Sequence, residues 1–207
     1  MSAAAGPWRA PQPLLLASTS PVRRMLLESA GLPVETEAAG IDERAVEETL
    51  RTADPAALAR GLALEKALAV SRRRRGRIVV GADQILALDG ELLHRPASAA
   101  EAKAQLARLA GKTHHLHSAV AVARDGEAVA SLVESAQLTM RPLTSHAIDA
   151  YAAIAGTERL TQSVGAYQLE GLGIHLFDGV EGDHAAILGL PLLPLLRVLR
   201  GLDLLAL

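Results

Sequence analysis

The stretch that decides how this 207-residue chain folds is residues 14–27, LLLASTSPVRRMLL. Its first four residues are apolar, and the run is short enough for a buried strand. Ser20 is a favourable N-cap, and Pro21 is tolerated as a first helical residue. The stretch therefore predicts a strand, a serine turn and a helix that begins at Pro21.

Two arginines, Arg23 and Arg24, fall in the first turn of that helix. Free backbone N–H groups and the helix dipole already make the potential positive there, so an anion is expected nearby. The hydroxyls of Ser18 and Ser20 could share a phosphate with the arginines. The alternative is a capped surface helix whose arginines are only solvated.

Composition limits the classes of protein that are possible. Half of the residues are hydrophobic and the length suits one domain, which we place at residues 13–207 after a flexible tail at residues 1–12. A net charge of -2 argues against a general nucleic-acid binder, and the absence of cysteine excludes thiolate chemistry. The tail lacks the apolar core of a signal peptide, so we expect a cytoplasmic protein.

Charged residues and prolines interrupt the leucine-rich segment 185–207, which predicts a buried or subunit-interface helix and no membrane contact.

The basic run 72–75 could be a nucleic-acid signal. It is more simply the end of a helix that Asp54 caps, because cations and the following Gly76 suit a helix C-terminus.

An acidic residue interrupts the apolar strand predicted from Arg77 to Leu88. A carboxylate in a buried strand is costly unless it is paired or hydrated, which makes Asp83 the best single candidate for chemistry. A turn aspartate is the alternative, but the strand pattern continues on both sides. Asp89-Gly90 then predicts a hairpin.

The second half of the chain alternates helices and strands. We predict helices capped by Ser98 and Thr144, with a hairpin at Asp125-Gly126 between them. His115 and His117 share a strand face, but no further cysteine or histidine completes a zinc site. The glycine-rich segment 162–173 suits a loop that closes over a site.

Taken in order, these pieces resemble the Maf family of nucleoside triphosphate pyrophosphatases over nearly all of residues 14–199. Several separated motifs carry the resemblance: Ser18-x-Ser20-x-x-Arg23 with Pro21, Ile41-Asp42-Glu43, Glu65-Lys66-Ala67, Gly81-Ala82-Asp83, Asp89-Gly90-Glu91, Gly111-Lys112-Thr113-His114, Gly165-Ala166-Tyr167, Glu181-Gly182-Asp183 and Gly189-Leu190-Pro191. The resemblance implies an α/β fold of the Maf/ITPase-like type, with an elongated, mixed and twisted sheet flanked by helices and a central cleft between two lobes. It also implies a homodimer.

The same resemblance implies a reaction. A nucleoside triphosphate would be cleaved between its α- and β-phosphates with the help of Mg²⁺ or Mn²⁺, giving the monophosphate and pyrophosphate. By position, phosphates would be held by Ser18, Ser20, Arg23, Lys66 and Arg95. Glu43 and Asp83 would organise the metal, and Asp83 would accept the proton of the attacking water. Phosphoryl transfer depends on such positioning and charge neutralisation.

Two departures from the family pattern stand out. Arg95 replaces the usual lysine before Pro96, which exchanges a point charge for a planar fork. Residues 162–167 read QSVGAY where many members have DKAGAY, so this loop lacks their charged pair.

Three positions bear on the base. Members that cleave dTTP and UTP typically have arginine, threonine and glutamine where this chain has Val22, Gln84 and Glu170. The last two resemble the branch that hydrolyses 7-methyl-GTP. A carboxylate at Glu170 can accept hydrogen bonds from the N1–H and amino group of guanine, whereas a uracil or thymine edge has two acceptors that repel it. Two alternatives stay open: a dTTP/UTP pyrophosphatase, and a nucleotide-binding regulator of septum formation that acts through a partner.

Overall fold

The structure is a computed structural model that describes residues 6–207. The strands in this range are β1 (Leu14–Leu16), β2 (Val34–Thr36), β3 (Ile78–Leu88), β4 (Glu91–Leu93), β5 (Thr113–Arg124), β6 (Glu127–Met140) and β7 (Phe177–Glu181). The helices are α1 (Pro21–Ser29), α2 (Glu43–Leu50), α3 (Pro55–Arg73), α4 (Ala99–Leu109), α5 (Ser145–Ala155), α6 (Thr157–Gln162), α7 (His184–Ile187) and α8 (Leu192–Gly201), and a 3₁₀ turn covers Leu172–Leu176.

The seven strands form one mixed sheet in the order β2-β1-β3-β5-β6-β7, with β4 added to β3. The long strand β3 is antiparallel to β5 along one edge. Its other edge pairs with β1 at Val79 and Val80, and with β4 only from Leu86 onward. Residues 81–85 are therefore paired with a strand on one side only, which leaves a gap in the sheet.

Local sequence signals explain most element boundaries. Ser20 caps α1 and Pro21 is its first residue, as predicted. Asp54 caps α3, whose last residue is Arg73, so the basic run lies at a helix C-terminus. At the predicted β3–β4 turn, Asp89 and Gly90 both have positive φ, 52° and 83°, as a tight hairpin turn requires.

Four elements do not follow from the sequence patterns, namely α2, α6, β7 and the short helix α7, which is separate from α8. Asp42, part of the Ile41-Asp42-Glu43 motif, is the N-cap of α2, and its side chain accepts from the Ala45 N–H. The predicted site-closing segment 162–173 is partly helical, because α6 ends at Gln162 and the 3₁₀ turn begins at Leu172. The part that is a loop is 163–171.

Three larger clusters of buried side chains form the core. One joins the end of β3 to β5, β6, α4, α5 and α6; a second joins β1 and α1 to the start of β3 and to α8; a third packs α3 on β3 and β5. The central cleft is lined by residues of the first cluster, such as Leu93 and Leu116, and of the third, such as Leu62 and Ile85. The predicted fold class is confirmed.

The two ends of the described chain lie against each other. Trp8 forms a β-bridge with Leu205, and the Ala206 N–H donates to the Pro7 carbonyl at 2.8 Å. This part of the predicted flexible tail is thus hydrogen-bonded, while its first five residues lie outside the described range. Within residues 6–207 no helix has the length and apolar character needed to cross a membrane.

Candidate active site

The gap in the sheet opens into a cavity of about 1190 Å³. Its lining includes the ten residues that the family resemblance assigns to the site: Ser18, Ser20, Val22, Arg23, Glu43, Lys66, Asp83, Gln84, Arg95 and Glu170. These residues come from α1, α2, α3, β3 and three loops, so the fold brings together positions up to 152 residues apart. The arrangement is what a single binding site requires.

The serine turn and Arg23 form the wall on the α1 side. Arg23 donates from Nε to the Gly189 carbonyl at 2.9 Å, and from Nη1 to the Ala82 carbonyl at 3.0 Å. Nη1 also donates to Ser18 Oγ at 3.3 Å. These bonds hold the guanidinium at the gap, where burial lowers its pKa and the nearby carboxylate of Asp83 partly offsets that effect.

Both serine hydroxyls already act as acceptors inside this wall. Ser18 Oγ accepts from the Ser20 N–H at 3.2 Å, and Ser20 Oγ accepts from the Arg23 N–H at 3.4 Å. A hydroxyl that accepts still has its own proton to donate. The turn can therefore offer two O–H donors to an anion in the cavity. Arg24 points elsewhere, because its Nε donates to Glu28 at 2.7 Å.

Lys66 and two carboxylates form the charged centre of the site. Lys66 Nζ lies 2.6 Å from Asp83 Oδ1 and 2.8 Å from Glu43 Oε1. Asp83 is only 6% exposed and Lys66 9%, while Glu43 projects from the exposed α2. No described residue donates a hydrogen bond to Asp83 Oδ2. One ammonium therefore bridges two carboxylates and balances only one of their two negative charges.

Close packing of α3 on β3 brings Lys66 to Asp83. Gly81 and Asp83 lie on the same face of β3, because side chains alternate along a strand. A Cβ added at Gly81 would lie 2.1 Å from the Ala63 carbonyl oxygen on α3. Only glycine allows this approach.

Gln84 faces the opposite side of the sheet from Asp83 and reaches the same cavity through the gap. Its Nε2 donates to Ser118 Oγ and to the Ile187 carbonyl, both at 2.9 Å. A carbonyl can only accept, so the amide nitrogen must point toward Ile187. The oxygen of Gln84 is consequently the atom left to accept from a ligand.

Ser118 and the carbonyls at the end of α7 had no role in the sequence analysis. Ser118 Oγ donates to the Ala186 carbonyl at 2.6 Å and is buried. These contacts join residues 68 positions apart. A local motif cannot reveal the contact with Ala186. The contact of Ser118 with Gln84 follows from the register of β3 with β5, which places the two residues opposite each other.

The far wall of the cavity consists of Arg95 after β4 and the 163–171 loop. Both Arg95 and Glu170 are exposed, so their side chains can reorient toward a ligand. The His115 and His117 rings stack outside the cavity with centroids 6.0 Å apart. The described residues contain no group of three or more histidine, aspartate or glutamate side chains that could hold a metal by themselves.

Comparisons with known proteins identify the family of the chain. The family model described as "Maf-like protein" matches residues 13–202. A nucleoside triphosphate pyrophosphatase of Rhodopseudomonas palustris is 53% identical over 199 residues, covering 96% of this chain and 98% of that protein. A nucleoside triphosphate pyrophosphatase of Bradyrhizobium diazoefficiens is 52% identical, and the match covers 97% of this chain and 99% of that protein. A 7-methyl-GTP pyrophosphatase of Rhizobium johnstonii is 52% identical over 191 residues, covering 91% and 96%.

Proposed function

The chain belongs to the Maf-like protein family, and on that premise we propose that it is a nucleoside triphosphate pyrophosphatase whose preferred substrate is a guanine nucleotide such as 7-methyl-GTP. The observation that carries the proposal is the convergence of Asp83, Lys66 and Glu43 beside a turn of anion donors, inside one cavity. Relatives that cover almost the whole chain bear the name of this activity.

In the proposed reaction a water oxygen attacks the α-phosphorus. The bond from that phosphorus to the oxygen bridging the α- and β-phosphates breaks, and pyrophosphate leaves. Asp83 orients the water and accepts its proton, for which the unbonded Oδ2 is suited. A buried carboxylate fixed by one ion pair is well placed for this role, because it is already oriented and loses little further conformational entropy when the substrate binds.

Phosphate oxygens would be held by Ser18, Ser20 and Arg23. The two hydroxyls have a proton to donate, and Arg23 is anchored by two backbone carbonyls. Arg95 lies on the opposite side of the cavity and can approach from there. Charge-assisted bonds of this kind are worth about 1.5–3 kcal/mol each.

The residues also fit a hard divalent cation. Mg²⁺ in proteins commonly uses one or two carboxylates and completes its shell with water and substrate phosphates. Glu43 Oε1 and Asp83 Oδ1 supply two such oxygens, both within 2.8 Å of the Lys66 ammonium. We propose that these carboxylates hold Mg²⁺ or Mn²⁺, which when bound neutralises charge on the phosphates. Lys66 would then donate to a phosphate oxygen.

Two acceptors on the base side favour guanine. The oxygen of Gln84 and the carboxylate of Glu170 both line the cavity, and guanine has adjacent N1–H and amino donors. Uracil and thymine present a single N–H between two carbonyls. A methylated guanine ring is also positively charged, which a nearby carboxylate stabilises. Val22 is too small to stack on a base, so we expect activity on other nucleotides as well.

A substrate panel tests this proposal. Pyrophosphate release is measured with 7-methyl-GTP, GTP, dTTP and UTP in the presence of Mn²⁺, with kcat/KM as the readout. We expect kcat/KM to be higher for 7-methyl-GTP than for dTTP and UTP, and we expect Glu170→Gln to reduce this difference. Glu127→Gln, at the remote β5–β6 turn, is the matched control. A tenfold preference for dTTP or UTP, about 1.4 kcal/mol, would contradict the base assignment, and release from no triphosphate would contradict the reaction.

We propose a cytoplasmic location for this reaction, because cells keep their nucleoside triphosphates there. The homodimer that the family resemblance implies stays a prediction, which light scattering of the purified protein tests.

A further inference from the structure

A buried histidine and a buried tyrosine join the cavity loop to the sheet. His114, in β5, is fully buried, and its Nε2 lies 2.6 Å from the hydroxyl of Tyr167 in the 163–171 loop. Tyr167 is 6% exposed and lines the cavity. Neither side chain has a part in the proposed chemistry, so the contact calls for another explanation.

Aromatic residues are scarce in this chain, at 2%, yet Tyr167 and two of the other three lie at this contact. The Phe177 ring meets the Tyr167 ring edge-on at 4.8 Å between centroids. Tyr151 donates from its hydroxyl to the Ala166 carbonyl at 3.4 Å. Rigid rings with few rotatable bonds fix a neighbouring backbone at low entropic cost.

The backbone of the loop is shaped around the Tyr167 ring. A Cβ at Gly165 would lie 2.2 Å from Tyr167 Cε1, so the ring rests directly on the glycine. Ala166 has a φ of 59°, a left-handed conformation that is unusual for a residue with a side chain. Ser163 Oγ donates to the Tyr167 carbonyl at 2.6 Å. These contacts hold a strained loop in one shape.

The same loop supplies Glu170, three residues after Tyr167, and the anion-binding turn lies on the other wall of the cavity. We infer that Tyr167 and His114 are positioning residues for nucleobase selection: their hydrogen bond holds the 163–171 loop so that Glu170 meets the base edge. The inference rests on the proposed function. It predicts that losing the bond weakens recognition of the base and leaves recognition of the phosphates unchanged.

The state of His114 supports a permanent bond. Burial, and to a lesser degree the neighbouring His115, lowers the pKa of His114 to about 4. The ring is therefore neutral near pH 7, and burial raises the pKa of Tyr167 so that its hydroxyl keeps its proton. A neutral pair of this kind does not change charge over the physiological range.

The test separates base from phosphate by measuring binding to two probes, 7-methyl-GMP and inorganic tripolyphosphate, by calorimetry. Tyr167→Phe removes only the hydroxyl. We expect the Kd for 7-methyl-GMP to rise about two- to tenfold, the range for one lost neutral hydrogen bond, with the tripolyphosphate Kd unchanged. Tyr151→Phe is the matched control, because its longer bond to the same loop should matter less.

A second pair of variants guards against misfolding. His114→Gln keeps an amide that can reach the tyrosine hydroxyl, and His114→Leu does not. We expect the 7-methyl-GMP Kd of His114→Gln to lie nearer the wild-type value. Equal changes for both probes, or an unchanged 7-methyl-GMP Kd in Tyr167→Phe, overturn the inference. Wild-type protein that binds 7-methyl-GMP but cleaves no triphosphate overturns the proposed reaction alone.

Discussion

Replacing Lys66 with methionine tests whether its ammonium occupies the position that a divalent metal ion takes when it binds Glu43 and Asp83. Methionine keeps an unbranched side chain of similar length and removes the charge. Asp83, only 6% exposed, would then lose the partner that lies 2.6 Å away in the wild-type protein. The half-exposed Glu43 would lose less, because water can solvate it.

The expected loss of stability follows from these burials. Removing one partner of a buried ion pair costs about 3–5 kcal/mol, and the partial exposure of the site favours about 3 kcal/mol. For a domain of this size, each kcal/mol shifts Tm by about 2–4 °C, so we expect Tm to fall by about 6–12 °C without metal. Mn²⁺ at a hundredfold excess over its Kd raises the free energy of unfolding by about 2.7 kcal/mol, which restores most of that loss.

The assay is thermal unfolding in EDTA and again with added Mn²⁺, for wild type and variant side by side. Lys103→Met is the control, since its ion pair with Asp149 is exposed on both sides and its loss should shift Tm little. Wild type should gain less from Mn²⁺ than Lys66→Met does, because its own ammonium competes with the metal. A variant that loses no stability, or gains no more from Mn²⁺ than wild type, refutes the reasoning.

Three further predictions concern the site and its surroundings. Asp83→Asn should lower kcat by about 10²–10⁴-fold, the usual contribution of a general base, with circular dichroism unchanged; near-normal kcat would contradict the mechanism. Arg23→Ala should weaken tripolyphosphate binding by about 1.5–3 kcal/mol and Arg24→Ala by much less, as calorimetry can measure, and equal effects would indicate a diffuse charge patch. The pKa of His114 is about 4 in the folded protein and 6.5 in the unfolded chain, so between these values the unfolded chain binds more protons. The free energy of unfolding, measured with urea, should therefore fall as the pH drops from 6.5 toward 4. His114→Gln should flatten that slope, and an equal slope in both proteins would contradict the assignment.

The sequence was sufficient where a local rule sets the structure. The serine cap and proline placed the start of α1, and an acid within an apolar run identified Asp83. Asp89-Gly90 predicted the β3–β4 hairpin because few other residue pairs accept two positive φ angles. These features depend on residues within a few positions of one another.

The sequence was insufficient where the structure depends on a short element or on a contact between distant residues. Helix α2 has only eight residues and none of them is buried, so it lacks the buried apolar positions that mark a core helix. The bond from Arg23 to the Gly189 carbonyl spans 166 positions, which no local motif encodes. The gap beside residues 81–85 arises because β1 and β4 each cover only part of one edge of β3, and strand lengths of three residues are hard to predict.

The bridge between the chain ends provides an internal optical probe. Trp8 is the single tryptophan of the protein, and its indole N–H donates to the Gln12 carbonyl at 2.8 Å while the ring packs on the second core cluster. It lies outside the cavity lining. Intrinsic fluorescence should therefore report when residues 7–9 separate from the C-terminal segment, and a nucleotide titration should leave the tryptophan emission unchanged.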